Sequence, residues 1–131
     1  TTDAIGDVAR KYGTHVIIGM QERVGDRTFN AAVLVGRDGE VMGTYHKVQP
    51  TITEMNNGTL PGVEAPTWET DCGRVGMCIC FDLKFPEVGM MLARSGARIV
   101  FFPACSTAEC ATEPGRGTTV CIWWSASLRK A

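Results

Sequence analysis

The chain has 131 residues, of which 44% are hydrophobic and 21% are charged, and its formal net charge is −1. This length supports one domain with a hydrophobic core and is short for two. No basic run or patch gives an electrostatic reason to expect nucleic acid or an anionic membrane surface as a partner. No apolar run is long enough to span a bilayer, and the N-terminus does not resemble a signal peptide. Because the sequence does not begin with Met, we expect a piece of a longer chain.

The cysteine pattern favours free thiols over a disulfide framework. The composition already supports a core and nothing indicates secretion, so we expect a reducing, cytoplasmic compartment. A metal site is disfavoured because the sequence has no C-x-x-C pair and its only histidines are His15 and His46. The six cysteines stand at positions 72, 78, 80, 105, 110 and 121.

The N-terminal part of the chain predicts a helix, a strand and a hairpin. Residues 3–12 place apolar side chains at helical spacing, and residues 14–23 are apolar and β-branched, as in a buried strand. Strands of about 28–36 and 40–47 then flank Asp38-Gly39, a dipeptide typical of hairpin turns. Residues 48–68 follow without sustained periodicity. A connection this long is often functional, but composition leaves a disordered surface loop equally open.

The next segments predict a βαβ unit. Residues 74–81 are apolar or small on both faces, so this strand should be covered on both sides. A helix is expected to begin near Pro86 and to end near Gly96, followed by a buried strand over residues 97–104. This order predicts parallel pairing, and together with the antiparallel hairpin it predicts an α/β fold with a mixed sheet.

Cys80 stands where the predicted strand gives way to a turn just before that helix. The partial positive charge of a helix start favours thiolate, which is the nucleophilic form, and other hydrolases place a nucleophile at such an elbow. A buried structural cysteine is the alternative for Cys80 and the favoured interpretation of Cys78. Asp82 and Glu87 can be explained as turn and capping residues alone.

The hairpin offers a partner for the thiol. Lys47 ends its second strand, where a lysine is ordinarily a solvated charge, and the neighbouring His46 competes as a candidate base. Because adjacent strand residues point to opposite faces, His46 and Lys47 should not both face Cys80. If Lys47 is that partner, its tip should lie within about one hydrogen-bonded water of the Cys80 thiol.

In this order and spacing, the segments resemble the nitrilase superfamily, the carbon–nitrogen hydrolases that cleave amides, carbamoyl groups and nitriles. The family's Tyr-x-Lys stretch corresponds to Tyr45-His46-Lys47, and its Cys-aromatic-Asp-x-basic-Phe-Pro-Glu stretch corresponds to residues 80–87. The resemblance runs over about residues 1–104. It implies an α-β-β-α sandwich hydrolase fold, of which residues 1–131 would be a single partial domain that lacks the N-terminal and C-terminal parts.

The resemblance also implies a mechanism. Cys80 would attack the substrate carbon and form a thioester-type intermediate, while Lys47 and the backbone N–H of Phe81 stabilise the oxyanion. Glu54, on what composition suggests is a flexible loop, resembles a supporting glutamate. The base glutamate of the family would come from a segment upstream of Thr1. No cofactor or metal is implied, and the expected partners are a small amide, carbamoyl or nitrile substrate and, at full length, further copies of the protein.

Two rival interpretations remain. A binding or scaffold protein could keep the fold without catalysis, and the missing base glutamate is its best support. A thiol redox protein could use Cys78 and Cys80. A thiol-reactive probe near neutral pH should label Cys80 selectively in an enzyme, and both cysteines or neither in the rivals. In the tail, which matches the family loosely, Trp123 and Trp124 are more simply explained by packing than by a pocket.

Overall fold

The computed structural model describes residues 2–104 and the backbone of residues 120–121. Trp123 and Trp124 therefore lie outside the described residues. No helix within the described part of the chain is long and apolar enough to cross a membrane. The elements in chain order are α1 (Thr2–Tyr12), β1 (Val16–Val24), β2 (Arg27–Val35), β3 (Val41–His46), α2 (Ile52–Asn56), β4 (Thr59–Leu60), β5 (Thr67–Thr70), β6 (Gly73–Met77), a 3₁₀ helix (Cys80–Lys84), α3 (Pro86–Arg94), β7 (Ile99–Pro103) and β8 (Val120–Cys121).

The described strands form two sheets, and both are mixed. In the first, β1, β2 and β3 are antiparallel neighbours and β4 pairs in parallel with β2. In the second, the order is β5-β6-β7-β8, and only the β6–β7 pair is parallel. The hairpin and the βαβ unit form as predicted, but they belong to different sheets. The segment between them, which carries α2 and β4, moves the chain from one sheet to the other.

The alternating side chains of β2 show how the layers are stacked. Val33 and Val35 pack against Ala9 of α1 on one face of the first sheet. On its opposite face, the first sheet packs against the second, and one buried cluster joins both sheets and α3. Helix α3 covers the far side of the second sheet, since a Cβ at Gly76 would meet the Leu92 side chain. The order of layers is therefore α1, sheet, sheet, α3, which is the expected α-β-β-α sandwich. The buried cluster comprises Ile17, Ala32, Leu34, Tyr45, Ala65, Val75, Met77, Cys78, Ile79, Val88 and Leu92.

Two segments differ from their sequence predictions in ways that matter for the site. The strand expected over 74–81 ends at Met77, and only the Cys78 N–H continues the pairing, at 3.1 Å from the Phe101 carbonyl oxygen. Residues 48–68 are ordered, because α2, β4 and the start of β5 lie within them. The interpretation of this connection as a disordered loop was therefore wrong.

Gly43 of β3 permits close packing between the two sheets, because a Cβ at this position would overlap the indole of Trp68 on β5. We expect Gly43→Ala to lower the free energy of unfolding of the full-length protein by about 2 kcal/mol, the usual size of an overpacking effect. Chemical denaturation measures it. Gly89→Ala is the matched control, since a Cβ there meets nothing within 4 Å and alanine favours the helix. Equal destabilisation by both changes would contradict this account of the packing.

Candidate active site

Cys80 lies in a strained turn at the end of the β6 segment. Among the described residues it is the one non-glycine residue with a positive φ, at 45°. Such a conformation costs a non-glycine residue about 1 to 3 kcal/mol and persists only when the surroundings hold it. The turn takes the Cys80 side chain out of the strand interior, so that it is partly exposed while Cys78 is buried. A strained strand-to-helix elbow of this kind is where hydrolases present a nucleophile.

The backbone N–H of Phe81, the predicted oxyanion donor, follows Cys80 directly. The first backbone hydrogen bond of the 3₁₀ helix comes one residue later, from the Asp82 N–H to the Ile79 carbonyl oxygen at 3.0 Å. The Phe81 ring packs edge-on against Phe85, with centroids 5.3 Å apart. These contacts fix the peptide that carries this N–H beside the thiol. Its role as an oxyanion donor remains a prediction.

Lys47 is 2% exposed, unlike the solvated lysine that is ordinary at a strand end. Its backbone N–H donates to the Asn30 carbonyl oxygen at 2.8 Å, which continues the pairing of β3 with β2. Its Nζ donates to both carboxylate oxygens of Glu54, at 2.8 and 3.0 Å. A buried ammonium requires a hydrogen-bonded partner of opposite charge, and Glu54 provides it.

Glu54 lies on α2 and not on a flexible loop, so that expectation was wrong. A capping box fixes it: the Glu54 N–H donates to Thr51 Oγ1 at 3.2 Å, and the Thr51 N–H donates to the carboxylate at 2.6 Å. Asn30 Nδ2 also donates to the carboxylate, at 2.6 Å. Burial opposes ionisation, but the hydrogen bonds from Lys47, Thr51 and Asn30 outweigh it and lower the Glu54 pKa from 4.5 to about 2. Glu54 is therefore a weak base that is suited to holding Lys47.

Asp82 joins the segment after Lys47 to the segment before Cys80. It is 1% exposed, and its Oδ1 accepts from the Gln49 N–H at 2.8 Å. Its Oδ2 accepts from the Tyr45 hydroxyl and the Ile79 N–H, each at 2.8 Å. The structure thus brings together the two segments that carry the predicted lysine and the predicted nucleophile. The separation of their side-chain tips remains a prediction.

Sequence reasoning missed Asn30 and treated Asp82 only as a turn residue. The Thr51-x-x-Glu54 spacing is a capping-box signal that could have placed Glu54 at the start of a helix. A polar Asn30 within an otherwise apolar strand segment is a weaker signal for a buried partner. Asp82 gave no comparable signal, because its partners depend on the tertiary fold.

Cys78 is 2% exposed, which confirms the prediction that it is buried. Burial, with a smaller effect from the negative charge of Asp82, raises the Cys78 pKa from 9.0 to about 12. Cys78 is therefore a neutral thiol near pH 7, and a neutral thiol is a poor nucleophile. Among the residues that the structure describes, Cys72, Cys78 and Cys80 are free, so Cys78 and Cys80 form no disulfide with each other.

His46 does not share the environment of Lys47. Its Nε2 lies 2.5 Å from a carboxylate oxygen of Glu22, and its ring stacks on Phe29 with centroids 4.2 Å apart. The two neighbours therefore engage different carboxylates, as the alternation of strand side chains predicts. The His46 ring is therefore engaged by Glu22 and Phe29, whereas the Lys47 ammonium is engaged by Glu54.

A second group of titratable residues lies away from this site. The ligand atoms of His15, Asp71 and Cys72 all lie within 4.8 Å of one another. The Arg37 guanidinium lies 3.0 Å from Asp71 and 3.9 Å from the Cys72 sulfur, and its hydrogen bond holds the pKa of Asp71 below the ordinary value. Arg37 already supplies the positive charge that a metal ion would bring, so the group is explained as an exposed ion-pair cluster.

We expect Glu54→Gln to destabilise the full-length protein by about 3 kcal/mol near pH 7, because it leaves the buried Lys47 charge without a carboxylate partner. The folded-state pKa of Glu54 is lowered from 4.5 to about 2, so its contribution is present above pH 4.5 and is lost as pH falls towards 2. The stability gap between wild type and variant should therefore narrow from pH 5 to about pH 3 in denaturation experiments. Glu69→Gln, in an exposed pair with Arg74, is the control. A gap that stays constant with pH would contradict the assignment.

Within an α-β-β-α sandwich, the chain thus carries a buried lysine–glutamate pair and a strained cysteine elbow on segments that Asp82 joins. Comparison with known proteins gives the family. The family model for carbon-nitrogen hydrolases matches residues 1–130. The chain is 35% identical over 112 residues to the chloroplastic omega-amidase of Arabidopsis thaliana, a match that covers 79% of this chain and 30% of that protein. It is 33% identical over 88 residues to human deaminated glutathione amidase, covering 60% of this chain and 27% of that protein.

The fold matches solved structures as well. An amidase variant from Nesterenkonia sp. AN1, with the acetamide moiety of fluoroacetamide added covalently at its active-site cysteine, superposes with a TM-score of 0.72 at 23% identity. That match covers 83% of this chain and 43% of the solved chain. The chain belongs to the carbon–nitrogen hydrolase family. It spans less than half the length of these three relatives, at 27 to 43%.

Proposed function

We propose that the full-length protein is a cysteine hydrolase that cleaves a non-peptide carbon–nitrogen bond of a small molecule, with an amide as the favoured substrate. The observation that carries this proposal is that Asp82 joins the segment after Lys47, which is buried and paired with Glu54, to the strained elbow of Cys80. Amidases at 35% and 33% identity make an amide the favoured substrate. Carbamoyl compounds and nitriles are the alternatives, since a nitrilase of Pyrococcus abyssi is also 35% identical.

In the proposed reaction, the Cys80 thiolate attacks the amide carbon and the carbonyl oxygen becomes an oxyanion. The Lys47 ammonium and the Phe81 N–H stabilise that charge, which is why a fixed and buried cation is useful there. The carbon–nitrogen bond then breaks, the amine leaves with one added proton, and a thioester remains on Cys80. Water attacks the thioester, which releases the carboxylic acid and regenerates the thiol.

The base that takes the Cys80 proton and later activates water must be another group. Glu54 is engaged by Lys47, Thr51 and Asn30 and has a pKa of about 2, and Glu22 is paired with His46. We therefore propose that a glutamate from outside residues 1–131 completes the site. The proposal extends to a homo-oligomer in the cytoplasm, where the exposed thiol of Cys72 would stay reduced.

The test is to measure release of ammonia or amine by the full-length protein from simple aliphatic amides, N-carbamoyl compounds and nitriles. We expect turnover of at least one amide and inactivation by iodoacetamide through Cys80. Since Cys72 is exposed, labelling is done in a Cys72→Ser background and located by peptide mapping. Selective labelling of Cys80 together with turnover supports the proposal. A folded protein that binds amides without turning over any of the three classes would favour the binding or scaffold alternative.

We also expect that residues 1–131 alone do not turn over substrate. Loss of one member of a catalytic group that acts together typically lowers the rate by several orders of magnitude. The fragment and the full-length protein should be assayed side by side on the same amide. Comparable rates would show that the base lies within residues 1–131, and Glu54→Gln in the fragment would then be the next variant to assay.

A further inference from the structure

The strained backbone of Cys80 needs contacts that hold it, and Asp82 supplies two of them. The Asp82 N–H donates to the Ile79 carbonyl oxygen at 3.0 Å, while Asp82 Oδ2 accepts from the Ile79 N–H at 2.8 Å. These reciprocal hydrogen bonds close around Cys80 from both sides. A residue at φ 45° retains that conformation only when its neighbours over-determine it, and this pair of bonds does so.

The same carboxylate reaches the chain that follows Lys47. Its Oδ1 accepts from the Gln49 N–H at 2.8 Å. Its Oδ2 accepts from the Tyr45 hydroxyl at 2.8 Å, and that hydroxyl in turn accepts from the Val48 N–H at 3.3 Å. Asp82 therefore holds residues on both sides of Lys47: Tyr45 before it, and Val48 and Gln49 after it.

Asp82 is suited to this position because a carboxylate only accepts hydrogen bonds. Both of its oxygens face donors, so an asparagine would turn its amide group towards at least one N–H or O–H donor. Among the ion pairs of the described residues, none includes Asp82. The buried charge of Asp82 is therefore held by two backbone N–H groups and the Tyr45 hydroxyl rather than by a cation.

We propose that Asp82 is a positioning residue for the reaction: it holds Cys80 in its elbow conformation and sets the distance between the thiol and the Lys47 ammonium. This inference rests on the proposed function. Asp82 does not touch the reacting atoms and acts through the two segments it joins. A displacement of about 1 Å in a reacting group lowers the rate of an enzyme by about 100-fold, so loss of this tie should appear in kcat.

The test compares Asp82→Asn and Tyr45→Phe in the full-length protein. We expect kcat for an amide to fall about 100-fold in Asp82→Asn and about tenfold in Tyr45→Phe, with KM within about threefold of wild type. The alkylation rate of Cys80 by iodoacetamide, followed against pH, should also fall in both variants. Tyr45→Phe keeps the carboxylate and both backbone donors, so it tests the proposal even if Asp82→Asn does not fold.

Thr67→Val is the stability control. It removes a hydrogen bond from Thr67 Oγ1 to the Ser95 carbonyl oxygen, at 2.9 Å, elsewhere in the second sheet. Its kcat and alkylation rate should stay at the wild-type level. A folded Asp82→Asn or Tyr45→Phe variant with unchanged kcat and unchanged Cys80 alkylation would overturn the positioning role while leaving the proposed function in place. If the wild type turns over no amide, carbamoyl compound or nitrile, the proposed function fails, and the alkylation rates alone still decide the role of Asp82.

Discussion

Cys80→Ala in the full-length protein is expected to lower amide turnover by about 10⁴-fold or more, with the fold intact. Removal of a nucleophile that works together with its partners typically costs several orders of magnitude in kcat. The structure gives the reason: the strained elbow that presents this thiol is held by hydrogen bonds on both sides, whereas alanine offers no atom for attack. Steady-state kinetics on the best amide, with circular dichroism to verify folding, measures the effect.

Cys78→Ala is the matched control, two residues away. Cys78 is buried and its pKa is raised to about 12, so we expect kcat to stay within about twofold. The free energy of unfolding should fall by about 1 to 2 kcal/mol, because the substitution leaves a small cavity in the core. Loss of turnover in a folded Cys78→Ala variant would instead support the paired-thiol interpretation.

Lys47→Met should have the second largest effect. The variant keeps the length and the apolar stem of the side chain but removes the cation, so we expect kcat to fall by about 10² to 10³-fold, as for loss of one oxyanion donor. Lys84→Met is the control, since Lys84 is an exposed lysine beside Phe81, and its kcat should be unchanged.

The double variant Lys47→Met with Glu54→Gln distinguishes the contribution of the Lys47–Glu54 ion pair to stability from the role of Lys47 in the reaction. Removing both charges leaves no uncompensated ion in the interior, so stability should recover relative to Glu54→Gln alone, while turnover stays low. Recovery of activity in the double variant would contradict a direct role of Lys47 in the reaction.

Local signals predicted much of the fold. The hairpin turn at Asp38-Gly39 forms with Gly39 at φ 81°, and α3 begins at Pro86 and is followed by Gly96 at φ 82°. These residues restrict the backbone of their own turns, so their effect is visible in a short stretch of sequence. The division into two sheets was not visible, because it depends on where a long connection leads the chain.

The candidate site likewise contains residues that the sequence could predict and residues that depend on the tertiary fold. Cys80 and Lys47 were predicted as site residues because the order of two motifs resembles one family, and Glu54 because it resembles a glutamate that lies between them in that family. The network around Asp82 could not be found in this way, since its partners Tyr45 and Gln49 are 37 and 33 residues away in sequence. The burial of Lys47 likewise follows from tertiary packing, against the ordinary preference of lysine for solvent.

In the proposed reaction, Cys80 carries the acyl group during turnover. The direct measurement is an acid quench of the full-length protein mixed with its best amide, followed by peptide mass spectrometry. We expect an added mass equal to the acyl group on the peptide that contains Cys80, removed by hydroxylamine and absent from Cys80→Ala. Steady turnover with the acyl group on Cys78 would contradict this role of Cys80. So would steady turnover with no acyl group on Cys80 when hydrolysis of the thioester is rate-limiting.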